Sequence, residues 1–364
     1  MQVLLGSDFR GVDAHCEHGA WRDKVSIMAS ESQPLGPVSV VGTTSWGTTL
    51  AMIMARRGIE VRLLARTPEE AESFERLRKH PRLPGFTFPS SMFTTGDWQT
   101  GLSGASAVLF GVPSRSVRAN AKRAMPHLVP NTLVICATKG IEQGSSKRMS
   151  EVLAEELLEN GRIAALSGPN LALEVVRGLP TSTVVAAATE EVAREAQCLL
   201  NSTTFRVYTN TDLIGVELGG ALKNVIAIGA GIIDGMGLGD NAKAAFLTRG
   251  LAEITRLGVA AGAQPLTFMG NSGLGDIMAT AFSGLSRNHR AGIALAKGLT
   301  LNAAIDSLDG QVAEGVTTTR AALEMAKGYG IEMPITEVTC RVLFDGLSPK
   351  EALFALMIRE PTQE

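Results

Sequence analysis

The chain has 364 residues, 45% of them hydrophobic, and a formal net charge of −2 at pH 7. That length suits two domains, and that apolar content supports a large core without unusual staples. A near-neutral balance with both signs interspersed excludes any global case for nucleic acid or an acidic membrane as partner, although a single cleft can still be cationic.

Residues 1–34 carry Asp8, Asp13, Glu17, Asp23 and Glu31 and lack the continuous apolar stretch of a signal peptide. Their hydrophobicity has no period, so they are expected to form a loose extension, with Met28 as an alternative start of the native chain. An intact-mass measurement on native protein checks this, because a product that retains residues 1–27 rejects it. No apolar run reaches the ~18 residues of a membrane span, so no membrane insertion is expected. Cys16, Cys136, Cys198 and Cys340 stand far apart without CxxC spacing. The histidines do not cluster, apart from His15 and His18. Reduced thiols, a cytoplasmic location and no metal site are the expectation.

Residues 37–41 predict a buried strand. A helix follows over 47–57 and stops at Gly58. Residues 60–65 predict a second strand, and 107–112, 133–137, 163–167, 183–187 and 205–208 predict later ones. Helical patterns fill 114–127, 147–160 and 190–201. Strands alternating with helices imply crossover units and a mostly parallel sheet. From Asp212 onward the period is helical: 213–229, 242–261, 286–296 and 317–328. The predicted fold is α/β, a Rossmann-like doubly wound domain over 35–210 followed by an all-helical domain over 211–364. The glycine-rich stretch 229–239 is expected to border the cleft between them, with close helix packing as the plainer reading.

The first strand enters Gly42-Thr43-Thr44-Ser45-Trp46-Gly47, close to the G-x-G-x-x-G turn that places a dinucleotide pyrophosphate on a helix N-terminus. Gly42 would make the tight turn and Gly47 would let the helix approach the sheet. Thr44 stands where the middle glycine belongs. It either displaces the cofactor or donates its hydroxyl to a phosphate. Alone, this pattern is equally an ordinary strand–turn–helix. The second strand ends Leu63-Leu64-Ala65-Arg66-Thr67 without the carboxylate that holds the ribose of NAD. Arg66 suits a 2′-phosphate instead, so NADP, or both NADP and NAD, is favoured. A solvated charge at a strand end is the plainer alternative.

Four further segments carry the chemistry: Lys139-Gly140-Ile141-Glu142, Ser167-Gly168-Pro169-Asn170, Glu217-Leu218-Gly219-Gly220-Ala221-Leu222-Lys223-Asn224, and Gly273-Leu274-Gly275-Asp276 followed by Ser286-Arg287-Asn288. With Leu83-Pro84-Gly85 and Asp240-Asn241-Ala242-Lys243, their order resembles that of NAD(P)-dependent glycerol-3-phosphate dehydrogenases, from Val38 to about Met357. The resemblance implies a homodimer that interconverts dihydroxyacetone phosphate and glycerol 3-phosphate, a phospholipid precursor. It implies Lys223 as catalytic lysine and Lys139 as a second active-site lysine that also reaches the cofactor. Asp276 and Thr280 would line the same pocket, and Ser167, Gly168 and Asn224 would border the substrate. Arg287 and Asn288 would hold the substrate phosphate, Arg287 touching the cofactor as well. Gly42, Thr44, Ser45, Trp46, Gly47, Arg66 and Glu314 would bind the dinucleotide. Asn170-Leu171 departs from the usual Ser-Phe, a change expected to affect packing only.

These residue types suit the reaction independently. A lysine ammonium can protonate a ketone oxygen and stabilise its developing charge. A guanidinium offers a phosphate two-pronged geometry that an ammonium lacks. Taken singly, each has a plainer reading: Lys223 as a snorkelling surface lysine, Lys139 as a loop lysine, Asp276 as a helix cap, Arg287 as a surface charge. Their joint occurrence outweighs these. Two rivals remain: a related ketoacid reductase or hydroxyacid dehydrogenase, which would turn over unphosphorylated substrates, and a non-catalytic dinucleotide-sensing protein.

Overall fold

The computed structural model describes residues 36–157, 162–308 and 310–360. The expected extension, with Met28, Cys16, His15 and His18, lies outside the described residues.

Eight strands form one sheet in the order β3-β2-β1-β4-β5-β6-β7-β8. They are β1 Val38–Val41, β2 Val61–Leu64, β3 Met92–Thr95, β4 Ala107–Phe110, β5 Leu133–Cys136, β6 Ile163–Ser167, β7 Thr181–Ala187 and β8 Phe205–Asn210. Every pairing is parallel except β6 with β7. Between them run α1 Ser45–Arg56, α2 Pro68–Leu77, α3 Trp98–Leu102, α4 Val117–Ala124, α5 Met149–Glu156, α6 Ala172–Val176 and α7 Glu190–Leu200.

Successive strand residues point to opposite faces, and helices cover both. Val38, Val40, Leu63, Leu109 and Ile135 pack with Leu50 and Met54 of α1 and Leu199 of α7. Val41, Val108, Phe110, Val134 and Cys136 pack with Leu102, Val117, Ala121 and Val152 on the other side. β1, β4 and β5 are accordingly buried at every position, as doubly covered parallel strands are. Strand order reverses between β1 and β4. Their carboxyl ends therefore border the crevice where such sheets bind ligands.

Past β8, every regular element among the described residues is helical: α8 Leu213–Met236, α9 Gly239–Ala260, α10 Asp276–Phe282, α11 Arg287–Ala296, α12 Leu301–Asp306, α13 Glu314–Tyr329, α14 Pro334–Phe344 and α15 Pro349–Met357. Helix α8 is the axis, packed by α9, α10, α11 and α13 and resting on β6. It is long and apolar enough to cross a membrane by length and composition, but 94% of that window is buried inside the protein.

Of the glycines in 229–239, Gly229, Gly231 and Gly235 serve helix packing, whereas Gly237 ends α8 with φ +68° and Gly239 opens α9 with φ +83°. Gly229 faces the Phe246 ring, and Gly235 faces Ile293 and Ala296. Gly231 of α8 and Gly292 of α11 let the two backbones touch: a Cβ at Gly292 would land on the Ile228 carbonyl oxygen, and one at Gly231 on that of His289. The plainer reading, close helix packing, therefore holds for these three glycines. Beside them, Lys243 and His289 both reach Asp234 Oδ2, at 2.6 and 2.7 Å, which ties α8, α9 and α11 together. Gly292→Ala is expected to force the helices apart and destabilise the fold by roughly 1–3 kcal/mol, the usual range for overpacking. Urea unfolding measures this, and an unchanged midpoint would contradict it.

Candidate active site

At the crevice, Gly42 leaves β1 with φ +107°, and a Cβ there would sit 2.6 Å from Val112 Cγ1. A Cβ on Gly47 would meet the Gly42 carbonyl oxygen at 2.5 Å, and one on Gly111 would meet Gly47 Cα at 2.8 Å. Gly111, just past the end of β4, completes this contact and was not singled out in the sequence, although it lies within the strand predicted over 107–112. Thr44 caps α1. Its Oγ1 accepts from Gly47 N at 3.0 Å and donates to the Gly111 carbonyl. A hydroxyl has one proton, so donation to a phosphate, one of the two roles left open above, gives way to a tie between the turn and β4. Ser45 and Trp46 form the first turn of α1. The Trp46 ring lies edge-on to Phe205, centroids 6.3 Å apart, so its side chain serves the core.

Arg66 follows β2 with its side chain exposed. Its backbone N–H donates to Glu70 Oε2 at 2.9 Å, and the Thr43 hydroxyl donates to Glu70 Oε1 at 3.0 Å. His80 was also missed. Its Nδ1 accepts from Arg82 N and its Nε2 lies 3.0 Å from the Thr43 carbonyl oxygen. That pattern assigns a neutral ring with the proton on Nε2, and burial lowers its pKa accordingly.

The second cluster forms where α8 meets the carboxyl ends of β5 and β6. A Cβ on Gly219 would press the Ser272 carbonyl at 2.7 Å, and one on Gly220 would strike Ser167 Oγ and lie 3.6 Å from Lys139 Cδ. One turn on, Lys223 is 7% exposed. The π-helical turn Asn271–Gly275 delivers Asp276, 1% exposed, as the first residue of α10. Asp276 Oδ2 lies 2.6 Å from Lys139 Nζ and Oδ1 lies 2.9 Å from Lys223 Nζ. Thr280 accepts from Lys223 and donates to Asp276 Oδ1 at 3.2 Å. Lys139 also donates to the Gly168 carbonyl at 2.7 Å. The Ser167 hydroxyl is buried with no hydrogen-bond partner among the described residues.

Each ammonium has three N–H donors. Lys223 commits two, to Asp276 and Thr280, and Lys139 commits two, to Asp276 and Gly168. Each therefore keeps one for a ligand. Two ammonium groups against one carboxylate leave the centre cationic. Burial pushes the Lys223 pKa down to about 8, with Lys139 and Arg287 acting in the same direction and Asp276 opposing.

Arg287 opens α11 behind the cap Ser286, whose Oγ accepts from His289 N at 3.2 Å. Its side chain meets water, yet protein surrounds it closely enough for desolvation to lower its pKa, with Glu314 opposing and Arg82 adding to the effect. It therefore lines an open recess. Asn288 is buried: its Nδ2 donates to Asn224 Oδ1 at 2.8 Å and its Oδ1 accepts from Gly315 N at 3.0 Å. One amide hydrogen remains. Glu314, first residue of α13, accepts from Ser114 N at 3.2 Å and from the Ser114 hydroxyl. Burial raises its pKa while Ser114 counteracts. It thus joins the helical part to the end of β4, on the side of the glycine turn. The structure brings Lys139, Lys223, Asp276 and Thr280 into direct contact, with Arg287 near enough to bias Lys223. Gly42, Thr44, Ser45, Trp46 and Gly47 form a separate cluster along the crevice, and Arg66 stands at the end of the neighbouring strand.

Comparison with known proteins shows the family. The family model for the NAD-dependent glycerol-3-phosphate dehydrogenase N-terminus matches residues 37–193, and that for the C-terminus matches residues 212–354. A glycerol-3-phosphate dehydrogenase [NAD(P)+] of Dehalococcoides mccartyi is 48% identical over 334 residues, 91% of this chain and 93% of the relative. One of Moorella thermoacetica is 48% identical over 90% of this chain and 97% of its own. The crystal structure of glycerol-3-phosphate dehydrogenase from Coxiella burnetii superposes with a TM-score of 0.85 at 37% identity, covering 90% of this chain and all of that one (100%). A ketopantoate reductase of Ralstonia eutropha, close to the ketoacid rival, shares only the fold, at 17% identity and a TM-score of 0.56 over 87% of this chain and 99% of its own. The chain belongs to the NAD-dependent glycerol-3-phosphate dehydrogenase family.

Proposed function

We propose that the protein reduces dihydroxyacetone phosphate to glycerol 3-phosphate and catalyses the reverse oxidation, with NADPH preferred over NADH. The observation that carries this reading is a single buried carboxylate, Asp276, bridging two lysine ammonium groups, with the Arg287 guanidinium near enough to act on Lys223. The dinucleotide suits the glycine turn, whose tight backbone packing at Gly42, Gly47 and Gly111 draws α1 against the ends of β1 and β4. The backbone N–H groups of Ser45 and Trp46, in the first turn of α1, suit the pyrophosphate. Arg66 faces the 2′-phosphate, and Glu314, Lys139 and Arg287 border the cofactor. When bound, the reduced nicotinamide supplies the hydride for the carbonyl carbon.

The chain's own residues handle charge and position. Lys223 gives its proton to the carbonyl oxygen during reduction and takes it back during oxidation. Lys139 directs its remaining N–H at the same region and adds positive potential. Asp276 and Thr280 fix both ammonium groups, and Asn224 fixes Asn288. Arg287 and Asn288 hold the phosphate, so that binding energy remote from the carbonyl orients it. Ser167 and Gly168 close the floor. The product then feeds phospholipid synthesis from the cytoplasm. We further propose a homodimer, and a division near residue 210 between a dinucleotide-binding and a substrate-binding domain.

NADPH oxidation with dihydroxyacetone phosphate, followed by the loss of the reduced nicotinamide's absorbance, tests the reaction. Turnover of an unphosphorylated ketoacid instead would favour the rival reductase, and no turnover of either would favour a sensor. Arg66→Asp is expected to weaken NADPH binding by roughly 10- to 100-fold, the worth of one or more charge-assisted hydrogen bonds, while NADH binding holds. Fluorescence titration with both cofactors measures this, and equal NADPH affinity would remove Arg66 from the site.

A further inference from the structure

Glu217 shares α8 with Lys223 but contacts none of Lys139, Lys223 or Asp276. It is buried, and its carboxylate accepts from Arg148 Nη1 at 2.6 Å, Ser150 N at 2.8 Å and Ser150 Oγ at 2.6 Å. Those donors stand at the end of the segment that begins with Lys139. The segment is closed on itself: Ile141 and Arg148 pair as an isolated antiparallel bridge, and Glu142 N donates to the Lys147 carbonyl at 2.9 Å. Arg118 of α4 grips Glu142 from outside through Nε at 2.8 Å and Nη2 at 2.7 Å. Ile141 plugs the apolar cluster formed by Leu218 and Leu222 of α8. The Lys139 segment is therefore a stiff loop docked on α8 by one apolar side chain and one buried carboxylate. Replacing the carboxylate with an amide turns one acceptor oxygen into a donor and leaves the Arg148 guanidinium without its counter-charge.

We infer that Glu217 is a positioning residue: it anchors the 139–150 loop to α8 so that Lys139 and Lys223 meet on the same Asp276. The inference rests on the proposed reaction only for its kinetic consequence. Groups facing Lys223 are Asp276 and Thr280 from α10, Lys139 from the loop and Arg287 from α11. Those facing Glu217 are Arg148, Ser150 and, at longer range, the Cys136 thiol, which Glu217 and burial both push up. When the loop loosens, Lys139 leaves Asp276. Lys223 then loses a neighbouring positive charge and has Asp276 to itself, and both changes raise its pKa.

The test uses the full chain with Glu217→Gln and, separately, Arg148→Met, which cuts the same tie from its more accessible side. Competitive acetylation of lysines, read by mass spectrometry, follows Lys139 without reference to activity. Faster Lys139 modification is expected in both variants. With dihydroxyacetone phosphate and NADPH, kcat is expected to fall roughly 10- to 100-fold, as misplacement by about 1 Å can cause. The alkaline limb of the reduction profile should move upward. Folded variants with wild-type Lys139 labelling and an unmoved limb overturn the inference. Failure of both to fold, judged by thermal melting, also overturns it in favour of a purely structural role. A wild-type protein inactive with dihydroxyacetone phosphate counts against the reaction, and the labelling result then decides the anchor alone.

Discussion

Replacing Lys223 with Ala is expected to lower kcat for dihydroxyacetone phosphate reduction by about 10³-fold or more, with NADPH affinity unchanged. A positioned general acid contributes roughly 10²–10⁴-fold, and the ammonium also stabilises charge developing on the oxygen. The fold should survive, because Asp276 keeps Lys139 and Thr280 as partners and no carboxylate is stranded. Lys223→Arg should not restore turnover, since a guanidinium does not release its proton near neutrality and its planar fork does not match the place of a single ammonium. The same lysine sets the pH dependence. With its pKa pushed down to about 8, the ammonium needed for reduction is lost as pH rises through that value, so reduction kcat should decline there. The neutral amine needed for oxidation appears over the same range, so oxidation should rise. Opposite limbs in the two directions are the signature. Limbs of the same sign, or near-normal turnover in Lys223→Ala, would remove Lys223 from its role.

What the sequence disclosed follows the strength of each local signal. β1, β4 and β5 are buried on both faces and read as apolar runs, and α8 reads as a helix over 213–229, its last turns being masked by glycines. β3 was missed because Met92–Thr95 alternates buried and half-buried residues over four positions, too short a pattern to stand out. α2 was missed because only Ala71 and Phe74 are buried on it, although Thr67-Pro68-Glu69-Glu70 is a readable helix start. The antiparallel β6–β7 pair has no local marker. In the site, motif order pointed to Lys139, Lys223 and Asp276, but no pattern says that Lys139 pairs with a carboxylate 137 positions away. That contact comes from the π-helical turn before α10 and from the side-chain-free face at Gly219 and Gly220. Thr44 was ambiguous for a related reason: its hydroxyl partner, Gly111, lies 67 residues away.

Arg287→Leu is expected to raise KM for dihydroxyacetone phosphate by roughly 10²-fold, with a smaller effect on kcat. A bidentate guanidinium–phosphate pair comprises two charge-assisted hydrogen bonds, each worth about 1.5–3 kcal/mol, and part of that is regained as the freed phosphate rehydrates. The substitution should spare the fold. Arg287 lines an open recess, so no buried hole results. Ser286 still caps α11, and Asn288 stays tied to Asn224 and Gly315. Arg287→Lys retains charge without the fork and should recover only part of the loss. Its proximity to Glu314 and Lys223 adds a second effect: removing one positive charge lets the Lys223 pKa rise, so the alkaline limb of reduction should move upward. Unphosphorylated dihydroxyacetone separates phosphate binding from general damage. It has no phosphate to lose, so its kcat/KM should change far less than that of the phosphorylated substrate, and inorganic phosphate should inhibit the wild type but not the variant. Equal losses on both substrates, or continued inhibition by phosphate, would mean that the phosphate is held elsewhere.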